Sequence, residues 1–291
     1  MVRRRPALVL HGGAGGAIPP EQRPRRHQGL QQAFAAAWAV LQQGGTALDA
    51  VVCATVAMEN DPEFNAGVGS CLNQDGDVEM DASLMEGTTF RAGAVGAVRH
   101  LRNPILVAKA VLEEERHVFL VGEGAERVAW AQGFSPVSRE ELVTERQLRR
   151  WQTARTAGEP GTVGAVALDR TGRVAAATST GGICNKQPGR IGDAAIIGAG
   201  TYADDTLGAG SATGDGEAII RATFTRTAVE YLRDGRDPTR AAQAALTLLH
   251  RRTHGEAGII LLDVFGRVGY AYNTPAMSLA FLAGDTLVVH V

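Results

Sequence analysis

Cysteine is scarce: Cys53, Cys71 and Cys184 are widely spaced, odd in number, and include no CxxC pair. That pattern argues against a disulfide framework and a structural zinc site, and it fits a reducing cytoplasm. Charge of one sign is missing as well. With 29 basic against 31 acidic residues the formal net charge is -2, so no field favours nucleic acid or an anionic membrane. Long apolar runs are absent too. The start, MVRRRPALVLHGGAGG, sets basic residues before an apolar stretch, but Ala7–Leu10 is far shorter than the roughly 7–15 residues of an export signal. No uninterrupted stretch reaches the about 18 residues that would cross a bilayer. With no internal repeat or low-complexity tract, the expectation is a soluble cytoplasmic globular protein with neither nucleic acid nor membrane as partner.

What is plentiful is glycine: 36 residues, in clusters, against a usual share of roughly 7%. Between the clusters the pattern is ordinary. Leu30, Phe34, Trp38 and Leu41 recur at helical spacing until Gly44-Gly45 stops them. Thr46 and Asp49 form a capping box for a second helix that buries Leu48, Val51, Val52, Val56 and Met58. A strand pair is expected to turn at Asn73–Gly76, a helix to run from Asn103-Pro104 to about Arg116, and Val118–Val121 to form a short buried strand. Ser138 and Glu141 make a second capping box ahead of a charged helical stretch, Arg139 to Gln152. Residues of about 153–161 have the small, polar composition of an exposed linker. Behind it, TVGAVALD and RVAAATST read as a hairpin; helices at about Glu217–Leu232 and Pro238–Thr253 precede a closing hairpin, Gly258–Tyr272. Strand and helix do not alternate regularly, so an α+β sandwich of layers is expected instead of a doubly wound parallel sheet.

The chemistry centres on GEPGTVGAVALD. A threonine heads a buried strand directly behind the linker, so cutting the Gly161–Thr162 bond would give Thr162 a free α-amine beside its hydroxyl. Such an amine, with a pKa near about 7.7–8.0, is partly neutral at physiological pH and can take the hydroxyl proton. Taken alone, Thr162 reads more readily as a β-branched residue starting a strand.

GTVGAVALD, followed by TSTGG, NKQPGRIGD, GAGTYADD and SATGDGE, together with HGGAG (His11–Gly15), ENDPEFNAGVGS (Glu59–Ser70) and MDASLMEG, resembles the plant-type asparaginase and isoaspartyl aminopeptidase family of N-terminal-nucleophile hydrolases. The motifs keep one order from about residue 7 to about residue 290. The resemblance implies a four-layer αββα sandwich that matures by self-cleavage into portions 1–161 and 162–291. It implies hydrolysis of asparagine and β-aspartyl dipeptides, and a dimer of cleaved αβ units. Thr162 would be the nucleophile, with Thr180 orienting its hydroxyl and Asn65 approaching it. Arg190 would hold the substrate α-carboxylate, and Asp193 with the Gly216 carbonyl would hold the α-ammonium. Thr213 and the Gly214 amide would form the oxyanion hole. No cofactor is implied for catalysis. A structural sodium ion would sit on main-chain oxygens of Met58, Glu59, Asp61, Phe64, Ala66 and Val68.

Other readings compete. Arg190 and Asp193, three apart, could be a surface ion pair. Asp215 would add negative charge at the mouth of the site. Another threonine hydrolase of the superfamily, glycosylasparaginase or a threonine endopeptidase, usually has Asp where Gly161 stands. A nucleotide binder is suggested only by Gly198, Gly200 and Ala203 in G-x-G-x-x-A spacing, without the accompanying strand-to-helix unit. A non-catalytic homologue would not be expected to keep Thr162, Arg190 and Asp193 together.

Overall fold

A computed structural model describes residues 4–153 and 161–291. The expected linker lies almost wholly outside the described residues. The chain opens with β1 (Ala7–Gly15), α1 (Arg23–Gln42) and α2 (Ala47–Glu59), then β2 (Met80–Glu86), β3 (Ala92–Val98), α3 (Pro104–Glu114), β4 (Phe119–Val121) and α4 (Gly122–Ala131). Two short helices, α5 (Arg139–Leu142) and α6 (Glu145–Thr153), lead toward Gly161. Beyond it come β5 (Val163–Leu168), β6 (Val174–Thr180), β7 (Thr201–Asp204) and β8 (Gly208–Gly214). They are followed by α7 (Gly216–Ala222), α8 (Phe224–Glu230), α9 (Pro238–Thr253), β9 (Ala257–Asp263), β10 (Val268–Tyr272), β11 (Ala276–Ala283) and β12 (Thr286–His290).

The strands form two sheets, one in the order β12-β11-β1-β5-β6-β2-β3-β4 and one in the order β10-β9-β8-β7. Helices α1–α4 cover the outer face of the larger sheet and α7–α9 that of the smaller, while β1, β5 and β6 pack against β8 and β9. This is the αββα sandwich. Its physical basis is legible in single strands: Leu8 and Leu10 face the core under α1–α4, whereas Val9 between them faces the core between the sheets. Likewise Ile259 and Leu261 face α7–α9, and Ile260 and Leu262 face the other sheet. A strand alternates sides residue by residue, so one buried on both faces must be apolar throughout.

Both capping boxes are present, at Thr46/Asp49 and Ser138/Glu141. Val51, Val52 and Met58 of α2 are buried, but Leu48 and Val56 are only half-buried. Several expectations are corrected. Asn73 closes a tight turn by accepting from the amides of Asp75 (3.0 Å) and Asp77 (2.9 Å), yet it joins a single bridge, Leu72 to Val78, and the long strands begin only at Met80. β4 is an edge strand with Phe119 and Val121 exposed, because only β3 pairs with it. The charged stretch breaks into α5 and α6 at Val143, whose backbone is extended. The helix expected from Glu217 to Leu232 breaks at Thr223, φ 41°. After the Gly258–Tyr272 hairpin the chain returns to the larger sheet, where β11 pairs with β1.

Candidate active site

Thr162 precedes β5 by one residue and is 4% exposed. On one side is the tip of β1, where pairing with β11 slips between His11 and Gly13. Gly13 takes φ +111°, which L side chains rarely adopt, and a Cβ there would stand 3.2 Å from the Thr162 carbonyl oxygen and 3.3 Å from its nitrogen. On the other side is Thr180, the last residue of β6. The Thr162 hydroxyl donates to Thr180 Oγ1 at 3.3 Å, and Thr180 donates to the Gly161 carbonyl at 2.6 Å. Asn65 donates to that same carbonyl at 2.8 Å and to the Gly182 carbonyl at 2.7 Å, while its Oδ1 accepts from the Cys71 amide at 2.7 Å. One peptide carbonyl therefore holds two side-chain donors, with the next residue's hydroxyl linked to one of them.

Thr213, buried near the end of β8, accepts from the Ala14 amide at 3.1 Å, so the tip of β1 touches both threonines. His11 of HGGAG lies beneath, its Nε2 2.9 Å from Ser211 Oγ. Burial pushes its pKa down to about 3, which leaves it neutral at physiological pH.

Arg190 and Asp193 sit on a loop anchored from below by residues the sequence reading did not single out. Asp81 of β2 accepts from the amides of Gly192 and Ala97, both at 2.9 Å, and burial pushes its pKa up. Glu79 accepts from the Gly189 amide at 3.0 Å, and the buried Lys186 ammonium donates to the Glu79 carbonyl at 2.7 Å. Asp193 Oδ2 is buried with no hydrogen-bond partner among the described residues. Burial raises the Asp193 pKa to about 7 against the pull of Arg190. Arg190 is not paired to Asp193 by a salt bridge; it donates through Nε and Nη2 to the two carboxylate oxygens of Glu217, each at 2.9 Å. A Cβ at Gly216 would meet Arg190 Nη2 at 2.6 Å and Asp193 Oδ1 at 2.9 Å, so glycine there keeps the space between them open. Asp215 is turned to α7, whose Ala218 amide it caps at 3.2 Å. The motifs MDASLMEG, NKQPGRIGD and SATGDGE contain Asp81, Lys186 and Glu217, but their roles depend on pairing that no local spacing displays.

Met58 and Glu59 end α2, and Asp61, Phe64, Ala66 and Val68 follow in the loop. The Glu59 carboxylate, with a pKa pushed by burial up to about 8, accepts from Ser179 Oγ (2.6 Å), Asn103 Nδ2 (3.1 Å) and the Ile105 amide (3.1 Å). The Met58 carbonyl accepts from the Asn60 and Asp61 amides, those of Glu59 and Asp61 accept one backbone bond each, and those of Phe64, Ala66 and Val68 accept none among the described residues. An all-oxygen main-chain set of this kind fits a hard cation. No cluster of three or more His, Cys, Asp or Glu suited to a metal occurs among the described residues.

Behind Asn65, the bridge of Asn73 to Lys186 brings Cys71 and Cys184 together as hydrogen-bonded free thiols. The bond to Cys71 draws Cys184 down to about 7, and that bond with burial pushes Cys71 up. The G-x-G-x-x-A segment runs into β7, a strand, so it builds no helix N-terminus for a phosphate. No helix among the described residues is long and apolar enough to cross a membrane.

A two-sheet sandwich between helical layers, with a threonine at the head of a central strand, is the architecture of the N-terminal-nucleophile hydrolases. The family described as asparaginase matches residues 4–290, and the chain belongs to it. It is 45% identical over 270 residues to an isoaspartyl peptidase/L-asparaginase of Macaca fascicularis, covering 90% of this chain and 88% of that one. The human protein of the same name is 44% identical over 270 residues, with the same coverage. A plant-type L-asparaginase of Thermococcus kodakarensis is 42% identical over 299 residues, 95% of this chain and 96% of the relative.

Proposed function

We propose that the chain cuts its own Gly161–Thr162 bond, and that the mature enzyme hydrolyses asparagine and β-aspartyl dipeptides with Thr162 as nucleophile. One observation carries this reading: the Gly161 carbonyl bears hydrogen bonds from Asn65 and Thr180 beside the hydroxyl that would attack it. Donors already fixed on an oxygen that becomes an oxyanion typically lower a barrier by a few kcal/mol. In the first event Thr162 Oγ attacks the Gly161 carbonyl carbon, passing its proton along Thr180. The nitrogen takes up that proton as the C–N bond breaks and leaves as the Thr162 amine, and water hydrolyses the resulting ester into chains 1–161 and 162–291.

In turnover the freed amine takes the hydroxyl proton while Oγ attacks the side-chain carbonyl of the substrate. Thr213 and the Gly214 amide hold the oxyanion. The protonated amine returns its proton to the departing nitrogen, and water then releases aspartate from the β-aspartyl ester. Arg190 holds the substrate α-carboxylate; Asp193 and the Gly216 carbonyl hold its ammonium. The unpartnered Asp193 Oδ2 supports that role, since a buried carboxylate oxygen without a partner suits a cationic ligand. The names of the relatives, isoaspartyl peptidase and L-asparaginase, support the substrate class. A sodium ion held by the carbonyls of Met58, Glu59, Asp61, Phe64, Ala66 and Val68 would stiffen the loop carrying Asn65. The working form is a dimer of cleaved units, acting in a cytoplasm that keeps Cys53, Cys71 and Cys184 reduced.

Mass spectrometry of the purified protein tests the reading. Two fragments, one beginning at Thr162, with asparagine hydrolysis and loss of both in Thr162→Ala, are expected. Full hydrolysis by an uncut chain would overturn it.

A further inference from the structure

Asparagine and β-aspartyl dipeptides present the same aspartyl half and differ in what departs. One releases ammonia; the other releases an amino acid with a free α-carboxylate. A site that recognised the second would need cationic donors on the leaving-group side of the reacting carbonyl, away from Arg190 and Asp193.

Such a place exists. A cavity of about 110 Å³ is lined in part by Gly13, Asn65 and Gly161, so it lies beside the Gly161–Thr162 bond. Its walls carry Arg26 of α1 and Arg146 of α6. Both guanidiniums are bonded to neutral oxygens: Arg146 donates to the Pro62 carbonyl at 2.6 Å, and Arg26 donates to Ser278 Oγ at 2.9 Å and to the Gly12 carbonyl. Arg150 also lines the cavity, and among the described lining residues Glu63 is the one carboxylate, lying 3.9 Å from Arg25 outside it. Burial, and then the charge of Arg146, hold the Arg26 pKa down to about 10, with Glu63 and Asp61 offsetting only part. Arg26 and Arg146, satisfied by neutral acceptors among the described residues, present beside the reacting bond a positive charge that an incoming carboxylate would meet. Arg26 is further tied to the nucleophile by position, for its Nη2 lies 3.5 Å, and the Thr162 nitrogen 3.3 Å, from the same point above Gly13.

We propose that this cavity is the leaving-group subsite, in which Arg146, with Arg26 behind it, binds the free α-carboxylate of the departing amino acid and makes β-aspartyl dipeptides better substrates than their carboxyl-blocked forms. The proposal rests on the hydrolase reading above and names the substrate class within it.

The test uses the self-cleaved enzyme and three substrates: asparagine, β-Asp-Leu and β-Asp-Leu amide, whose carboxylate is blocked. Wild type is expected to prefer β-Asp-Leu to its amide by about tenfold in kcat/KM, the size of one charge-assisted contact. Arg146→Gln should bring that ratio close to one, and Arg146→Lys should recover part of it. Arg146 is half-buried at the start of α6, so a polar replacement leaves the core intact. Equal turnover of acid and amide by wild type, or a preference surviving in Arg146→Gln, would overturn the subsite while asparagine hydrolysis kept the hydrolase reading alive. Wild type that processed none of the three would bring down both.

Discussion

Arg190 and Glu217 face one another through two parallel hydrogen bonds, each 2.9 Å, in which the carboxylate of α7 occupies the guanidinium fork. Their environments differ: the Arg190 side chain is 16% exposed and that of Glu217 57%. A half-exposed pair of this kind is worth at most about 1 kcal/mol, so an incoming α-carboxylate can displace Glu217 at modest cost. Glu217→Gln should therefore lower the KM for asparagine, and the inhibition constant of product aspartate, by about threefold to fivefold. Unchanged or higher values in initial-rate kinetics would mean that Glu217 holds Arg190 in place instead of competing for it.

Thr180→Val removes the hydroxyl that joins Thr162 to the Gly161 carbonyl while keeping the shape of the side chain. The valine methyl offers that carbonyl no donor, and self-cleavage should slow by about 100-fold. A gel time course of freshly purified precursor measures it. Asn65→Leu, which removes the other donor, should slow cleavage comparably.

Asp193 gives the pH dependence. Its pKa near 7 means that the free site loses its carboxylate charge as pH falls through that value. Arg190, Asp81 and Glu217 are the charged groups acting on it, Arg190 lowering and the two carboxylates raising the value. Aspartate affinity, followed by calorimetry, should weaken by up to about tenfold per pH unit below 7. Stability runs the other way. The folded pKa lies above the unfolded one, so the fold binds the proton more tightly and loses stability as pH rises from the unfolded value through about 7. Asp193→Asn should abolish aspartate binding yet raise Tm at pH 8 relative to wild type.

The main-chain oxygens of residues 58–68 predict a cation-specific stability. At equal ionic strength, sodium chloride should raise Tm by about 2 °C or more over choline chloride, since a ligand bound only by the folded state stabilises by mass action. Identical melting curves in the two salts would remove the sodium ion from the account.

Much of the molecule was legible in the chain because it rests on local rules. The capping boxes at Thr46 and Ser138 and the hairpin joining β5 to β6 need only neighbours in sequence, and they stand where spacing puts them. The break at Thr223 and the edge character of β4 were not legible, since each depends on what packs or fails to pack from outside.

Thr162 behind the linker, and the order of the glycine motifs, are properties of the sequence by itself, as is the two-faced apolarity of β1, β5 and β9. Only tertiary structure decided that Asn65, about a hundred positions earlier, and Thr180 share one carbonyl with the threonine. Tertiary structure also decided that Glu217 occupies Arg190 and that Arg146 lines a cavity beside Gly161. The physical reason is range: periodicity and caps act over a few residues, whereas a side chain's partner in a sandwich is set by which strands the sheet brings side by side.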